Sequence, residues 1–217
     1  MSAVTVKHYA APPLNCAEIW RYAGVKEPTA ELEALLADCI KQAEGKLSYR
    51  VCAVEEKTLP FGNEHFASLE EHLRGCESVI LFAATVGGEL DRLIAREQLL
   101  SPAKAVLLSA IGAERVEALC DVFCAEVETE AKSRGLYPRS RFSPGYGDLP
   151  LRVQKDVFRT LDLTRKLGMT LNESLLMYPT KSVTAIIGLS RERDGTADCD
   201  RHCAACERNT CIFKEKR

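Results

Sequence analysis

The chain has 217 residues, 46% of them apolar and 28% charged, a balance that predicts a globular domain with its own core and excludes a disordered or fibrous chain. Lysine and arginine total 29 against 31 acidic residues, a net charge of −2, so no strongly electropositive nucleic-acid binder is expected. The longest apolar run, Val79 to Ala84, is far short of the roughly 20 residues a membrane helix needs, and no basic start precedes a long apolar stretch, so the expectation is a cytoplasmic protein.

Residues 2–8 alternate and predict an edge strand, closed by Pro12 and Pro13. Cys16 to Tyr22 predicts a short helix with Asn15 as its cap and Gly24 at its end. Thr29 to Glu44 places Leu32, Leu35, Leu36, Cys39, Ile40 and Ala43 at helical spacing, with Gly45 as its stop. Leu47 to Val54 predicts a strand with Tyr49, Val51 and Ala53 on one face. A short helix at Ser68 to Leu73 leads into a buried strand at Ser78 to Thr85. Gly87 and Gly88 turn the chain into a helix carrying Leu90, Leu93 and Ile94. Ser101 as cap and Pro102 at the first position open a helix that runs to about Ser133, with Gly112 marking a bend or a close contact. Arg139 to Pro150 is a loop, Leu151 to Leu167 a helix, and Thr170 to Tyr178 and Ser182 to Leu189 are strands around Pro179. Helices and strands are mixed without regular alternation. That predicts an α+β fold with a twisted, largely antiparallel sheet, a long helix and several shorter helices packed on it.

Several chemistries are missing. There is no Gly-x-x-x-x-Gly-Lys phosphate loop, no nucleophile elbow around Ser190, and no His-Glu-x-x-His. His8, His65 and His72 are scattered and read as structural or merely exposed.

The most unusual stretch is Arg141-Phe-Ser-Pro-Gly-Tyr-Gly-Asp148. Gly145 and Gly147 flank Tyr146 and allow close backbone approach to a ligand, Pro144 and Pro150 stiffen the loop, and Arg141 offers a planar fork that matches a carboxylate. Composition alone leaves two readings: a ligand loop, or a rigid surface turn whose arginine pairs with a nearby acid.

The segment RFSPGYGDLPL resembles the Arg-x-x-x-Gly-Tyr loop of the activation (reactivation) domain of vitamin B12-dependent methionine synthase. Ala105 to Ala118 resembles that family's long helix. Gly168 to Pro179 and Lys181 to Gly188 resemble its closing strand pair, and Ala17 to Gly24 the start of its stand-alone members. The resemblance spans roughly residues 15–190. It implies a domain that binds S-adenosylmethionine along a shallow groove, with Arg141 and Tyr146 as ligand contacts and Tyr146 beside the transferring methyl. Ser143 and Gly145 then lie along the ligand, Glu117 is an acid near its amino or sulfonium charge, and Ile187 and Gly188 form a contact on the final strand. The family has aromatic character at that last contact, which Ile187 lacks.

Methyl transfer in this family needs a corrinoid. The Asp-x-His-x-x-Gly signature that ligates cobalt is only imitated by Asp200-Arg-His202-Cys-Ala-Ala205, where Ala205 replaces the glycine. The resemblance therefore implies action in trans on the cobalamin of a methionine synthase or another corrinoid protein. A flavodoxin- or ferredoxin-type reductant would supply the electron.

Cys199-x3-Cys203-x2-Cys206-x4-Cys211 packs four thiols near the C-terminus. That spacing predicts a metal-binding tail, residues 191–217, appended to a domain at residues 1–190; it leaves zinc and an iron–sulfur cluster open, with isolated disulfides as the alternative to a metal centre. Cys120 and Cys124, at i and i+4, read as core packing. A competing reading makes the chain a metal- or cluster-carrying adaptor of a corrinoid protein with no methyl-donor site of its own. The Arg141–Tyr146 loop has little purpose in that reading.

Overall fold

The computed structural model describes residues 3–61 and 64–192. Strand β1 (Thr5–His8) is followed by helices α1 (Cys16–Ala23) and α2 (Ala30–Ala43), strand β2 (Arg50–Glu56), helix α3 (Ala67–His72), strand β3 (Cys76–Thr85), and helices α4 (Glu89–Leu100) and α5 (Pro102–Ser133). Then come β4 (Tyr137–Pro138), a 3-10 turn at Leu151–Val153, α6 (Gln154–Leu161), α7 (Leu163–Leu167), the two-residue strands β5 (Thr170–Leu171) and β6 (Met177–Tyr178), and β7 (Ser182–Ser190). The α+β expectation holds: the sheet order is β1-β2-β3-β7-β4, and every neighbouring pair is antiparallel.

Local chemistry sets the helix ends. The Asn15 side chain accepts from the Glu18 N–H, and Gly24 ends α1 in the left-handed region. Thr29 caps α2 in the same way. Helix α5 has Pro102 in its first turn, but Ser101 makes no side-chain cap, contrary to expectation. Ser101 also ends α4, its N–H donating to the Glu97 carbonyl at 2.7 Å, and it sits at the corner the two helices share.

The sheet is covered on both faces, which explains why β3 is almost wholly apolar. With period-two alternation, Leu81 and Ala83 of β3 and Ile186 of β7 join Val157, Leu161, Leu163 and Leu167 from α6 and α7. Phe82 and Ala84, with Val51, Ile187 and Leu189, pack on Val116, Leu119, Phe123 and Val127 of α5. Tyr49 and Ala53 lie on this second side with Val51, as their spacing predicts. A further cluster joins Ile19, Leu36, Cys39, Leu90 and Leu93 to Leu107, Leu108 and Ile111, so α5 serves one core with its first half and another with its second. At 32 residues it spans about 48 Å. Gly112 marks a close contact: a Cβ there would lie 2.6 Å from Leu90 Cδ2 and 2.8 Å from Lys181 Cγ.

Two further expectations need correction. The single helix expected over Leu151–Leu167 is broken at Asp162, whose φ of 52° is left-handed and separates α6 from α7. The strand expected over Thr170–Tyr178 is a hairpin. Asn172 folds it back, its carbonyl accepting from the Leu175 N–H at 3.0 Å and its side chain from the Leu176 N–H at 2.8 Å, with Leu175 at φ 63°. Among the described residues no helix is long and apolar enough to cross a membrane.

Candidate functional site

The Arg139–Pro150 loop is laid on the edge of the sheet. Arg139 N–H donates to the Gly188 carbonyl at 2.7 Å, and Phe142 and Ile186 exchange both backbone bonds at 2.9 Å. The chain then folds tightly on itself. Tyr146 N–H reaches the Ser143 carbonyl, Leu149 N–H the Tyr146 carbonyl, and Gly145 N–H the Leu149 carbonyl at 2.7 Å. This path needs positive φ at Gly145 (99°) and Gly147 (54°), which is what the paired glycines supply.

The pairing holds Arg141 against the middle of α5. Its Nη1 donates to Glu117 Oε2 at 3.0 Å and its Nη2 to Asp121 Oδ1 at 3.3 Å. The Arg141 side chain is 23% exposed, whereas Glu117 and Asp121 keep 41% and 74% of theirs in solvent. Burial works against the guanidinium charge, but the Glu117 and Asp121 carboxylates beside it offset that, and the Arg141 pKa stands above its ordinary value. Tyr146, five residues along the same loop, is 44% exposed and lies edge-on to Phe142, with ring centroids 5.9 Å apart. The loop thus presents to α5 a cation bridged to two partly exposed carboxylates, and carries along its length an exposed phenol and two glycines at positive φ. It suits a small zwitterionic or sulfonium-bearing molecule with a carboxylate.

Of the residues singled out from sequence, Glu117, Arg141, Ser143, Gly145 and Tyr146 share this face or the loop that forms it. The Ile187 side chain does not: it is 1% exposed, in the core between the sheet and α5. Gly188 lies at the loop's root, where its carbonyl already accepts from Arg139. Cys199, Cys203, Cys206 and Cys211 lie outside the described residues, as does the rest of the expected tail beyond Glu192. Asp121 was missed, although its i+4 spacing from Glu117 on a helix was the signal that could have found it. Cys120 is buried and Cys124 half-buried, as expected of packing residues. A separate cavity of about 130 Å³ between β1, β2 and the second half of α5, lined by Ala53, Ile80, Phe123 and Val127, contains none of these residues.

Residues 74–194 match the family model described as vitamin B12 dependent methionine synthase, activation domain. The chain belongs to this family. Its matched segment runs from the end of α3 through β7 and includes the whole Arg141–Tyr146 loop and α5. Among solved structures, the MetH reactivation domain bound to AdoHcy superposes with a TM-score of 0.63 and 18% identity, over 90% of this chain and 81% of that one. At that identity the likeness establishes a shared fold. No curated protein sequence gives a significant match. Membership ties this activation domain to a methyltransferase system that uses vitamin B12.

Proposed function

We propose that this activation domain binds S-adenosylmethionine on the face between the Arg141–Asp148 loop and α5, and acts in trans on a corrinoid protein, supporting reductive methylation of oxidised cobalamin. The observation that carries the reading is Arg141, held by Glu117 and Asp121 on the loop that also carries the exposed Gly145–Tyr146 turn. Bound on its own protein, cobalamin supplies the cobalt that accepts the methyl group. This chain's residues do the rest. Arg141 orients the methionyl carboxylate through its remaining N–H groups. Glu117, with Asp121, faces the amino and sulfonium charge. Ser143 and Gly145 offer backbone, and Tyr146 stands beside the methyl. Ile187 and Gly188 serve the ligand through main chain only, since the Ile187 side chain is buried. The AdoHcy carried by the MetH reactivation domain supports the ligand class. The partner is a cobalamin-binding methionine synthase or another corrinoid protein in the cytoplasm, with a flavodoxin- or ferredoxin-type reductant.

Two measurements test the reading. Calorimetry should detect S-adenosylmethionine binding, and its absence up to millimolar ligand refutes the methyl-donor site. Tyr146→Phe should keep the ligand but slow reactivation of the partner's cobalamin, whereas an unchanged rate assigns the Tyr146 hydroxyl no role.

The proposal extends to Cys199, Cys203, Cys206 and Cys211, whose spacing supports one thiolate-bound centre. Anaerobically purified protein should carry about one zinc, or about four irons with a brown absorbance. Four freely titrating thiols with neither metal refute that part alone.

A further inference from the structure

Helix α3 has six residues and buries Leu69 in the core; it is too short to be stable in isolation. Its own N-cap residue, Phe66, offers no capping side chain. The cap comes from across the chain: Asp148 accepts from the Ala67 N–H at 2.7 Å and the Ser68 N–H at 3.1 Å, and the Asp148 N–H donates to Ser68 Oγ at 3.3 Å. The other end of α3 reaches the same loop, with His72 Nε2 2.9 Å from the Ser140 carbonyl. A carbonyl only accepts, so His72 carries its proton on Nε2. The His72 ring also lies against Phe142, with centroids 5.0 Å apart. Ser68 sits so close beneath Gly147 that a Cβ there would lie 2.6 Å from Ser68 Cβ.

Both ends of one short helix are thus spent on a single loop, at positions 140 and 148. Arg141, Ser143, Gly145 and Tyr146 all fall between the two ties. A loop with two glycines at positive φ has many conformations to lose when it receives a ligand. Ties at both ends remove that cost beforehand.

We infer that α3 is the positioning element of the methyl-donor site. Asp148 and His72 act as positioning residues that hold the Arg141–Gly147 loop in its ligand-receiving shape without touching the ligand. The inference rests on the proposed S-adenosylmethionine site. When a tie is lost, the loop populates its receiving shape for a smaller fraction of the time, and apparent affinity falls by that fraction.

The test is calorimetry of the full-length protein with S-adenosylmethionine, well below the unfolding transition, where a merely structural role would leave affinity unmoved. Asp148→Ala should weaken binding about 3- to 30-fold, the equivalent of a lost helix cap. Asp148→Asn keeps an acceptor and should recover binding to within about threefold of wild type. His72→Phe keeps the ring contact with Phe142 but has no N–H for Ser140, and should weaken binding about 2- to 10-fold. It provides the reading should Asp148→Ala fail to fold. Wild-type affinity in either folded variant overturns the positioning role and leaves the site intact. No binding by the wild type overturns the site, and the positioning role with it.

Discussion

Arg141→Ala separates the stability of the activation domain from ligand capture. In the folded protein the guanidinium spans two carboxylates that are 41% and 74% exposed, so solvent screens both pairs. Pairs of that kind contribute about 0.2–1 kcal/mol, and the Phe142–Ile186 backbone bonds that fix the loop do not depend on the side chain. The variant should therefore fold, with a midpoint within a few degrees of wild type. Ligand binding should suffer more. A carboxylate that docks on the fork gains charge-assisted hydrogen bonds worth about 1.5–3 kcal/mol, which is roughly 10- to 150-fold in affinity. The alanine variant also leaves Glu117 and Asp121 without their cation, so an incoming carboxylate meets net repulsion and the loss should lie toward the upper end. Arg141→Lys keeps the charge but not the planar fork, and should fall between wild type and alanine. Calorimetry with S-adenosylmethionine at one fixed ionic strength reads all three proteins. If Arg141→Ala binds within twofold of wild type while its melting midpoint is unchanged, Arg141 is only a structural pair for α5 and the ligand assignment fails.

Gly112→Ala should lower stability by about 1–2 kcal/mol, or roughly 2–8 °C in thermal melting, because the new Cβ would collide with the fully buried Leu90 by more than the helix gains from alanine; an unchanged or raised midpoint would show that the α4–α5 contact yields. Glu55 should add acid sensitivity. Its carboxyl is held below the ordinary value by the Arg134 guanidinium at 2.7 and 2.8 Å and by the Ser78 hydroxyl. A depressed folded-state pKa stabilises above the ordinary carboxylate range and loses that contribution as pH falls below it. Glu55→Gln should thus cost about 1–3 °C at neutral pH, with the gap narrowing as pH falls below the ordinary carboxylate range, as read by melting curves from neutral to acid pH, and a gap that does not narrow contradicts the assignment.

What could be read from the sequence was what depends on neighbours in the chain. The Asn15 cap, the stop at Gly24 and the uninterrupted run of α5 all rest on contacts within a few residues, and the structure has each of them. The alternation in β2 and the apolar run of β3 report burial directly. The errors fell where a single polar residue redirects the backbone. Asp162 in the left-handed region splits a helix whose apolar period continues through it, and Asn172 turns back a segment that reads as extended. The site divided in the same way. The Arg141–Tyr146 loop announced itself by its two glycines, and Glu117 entered by resemblance. Asp121 was within reach through its spacing from Glu117, but the roles of Asp148 and His72 were not, because each gains its meaning from a partner 68 to 81 positions away. Ile187 is the converse case, since its place on the final strand was clear but the face on which its side chain falls was not.

The 32 residues of α5 pass from one hydrophobic cluster to another, and Glu117 and Asp121 lie just beyond the crossing. Ile111 belongs to the first cluster and Val116 to the second, with no interruption of the helix between them. A continuous helix shared in this way ties the fates of both clusters together, because neither can open without fraying a rod that the other still grips. Backbone amides around Ile111 to Val116 should then exchange with solvent only through opening of the whole domain, while those of β5 and β6 exchange through local opening. The carboxylates that hold Arg141 are mounted on the stretch of chain with the least freedom to move on its own, and a ligand there would feel any loosening of either half.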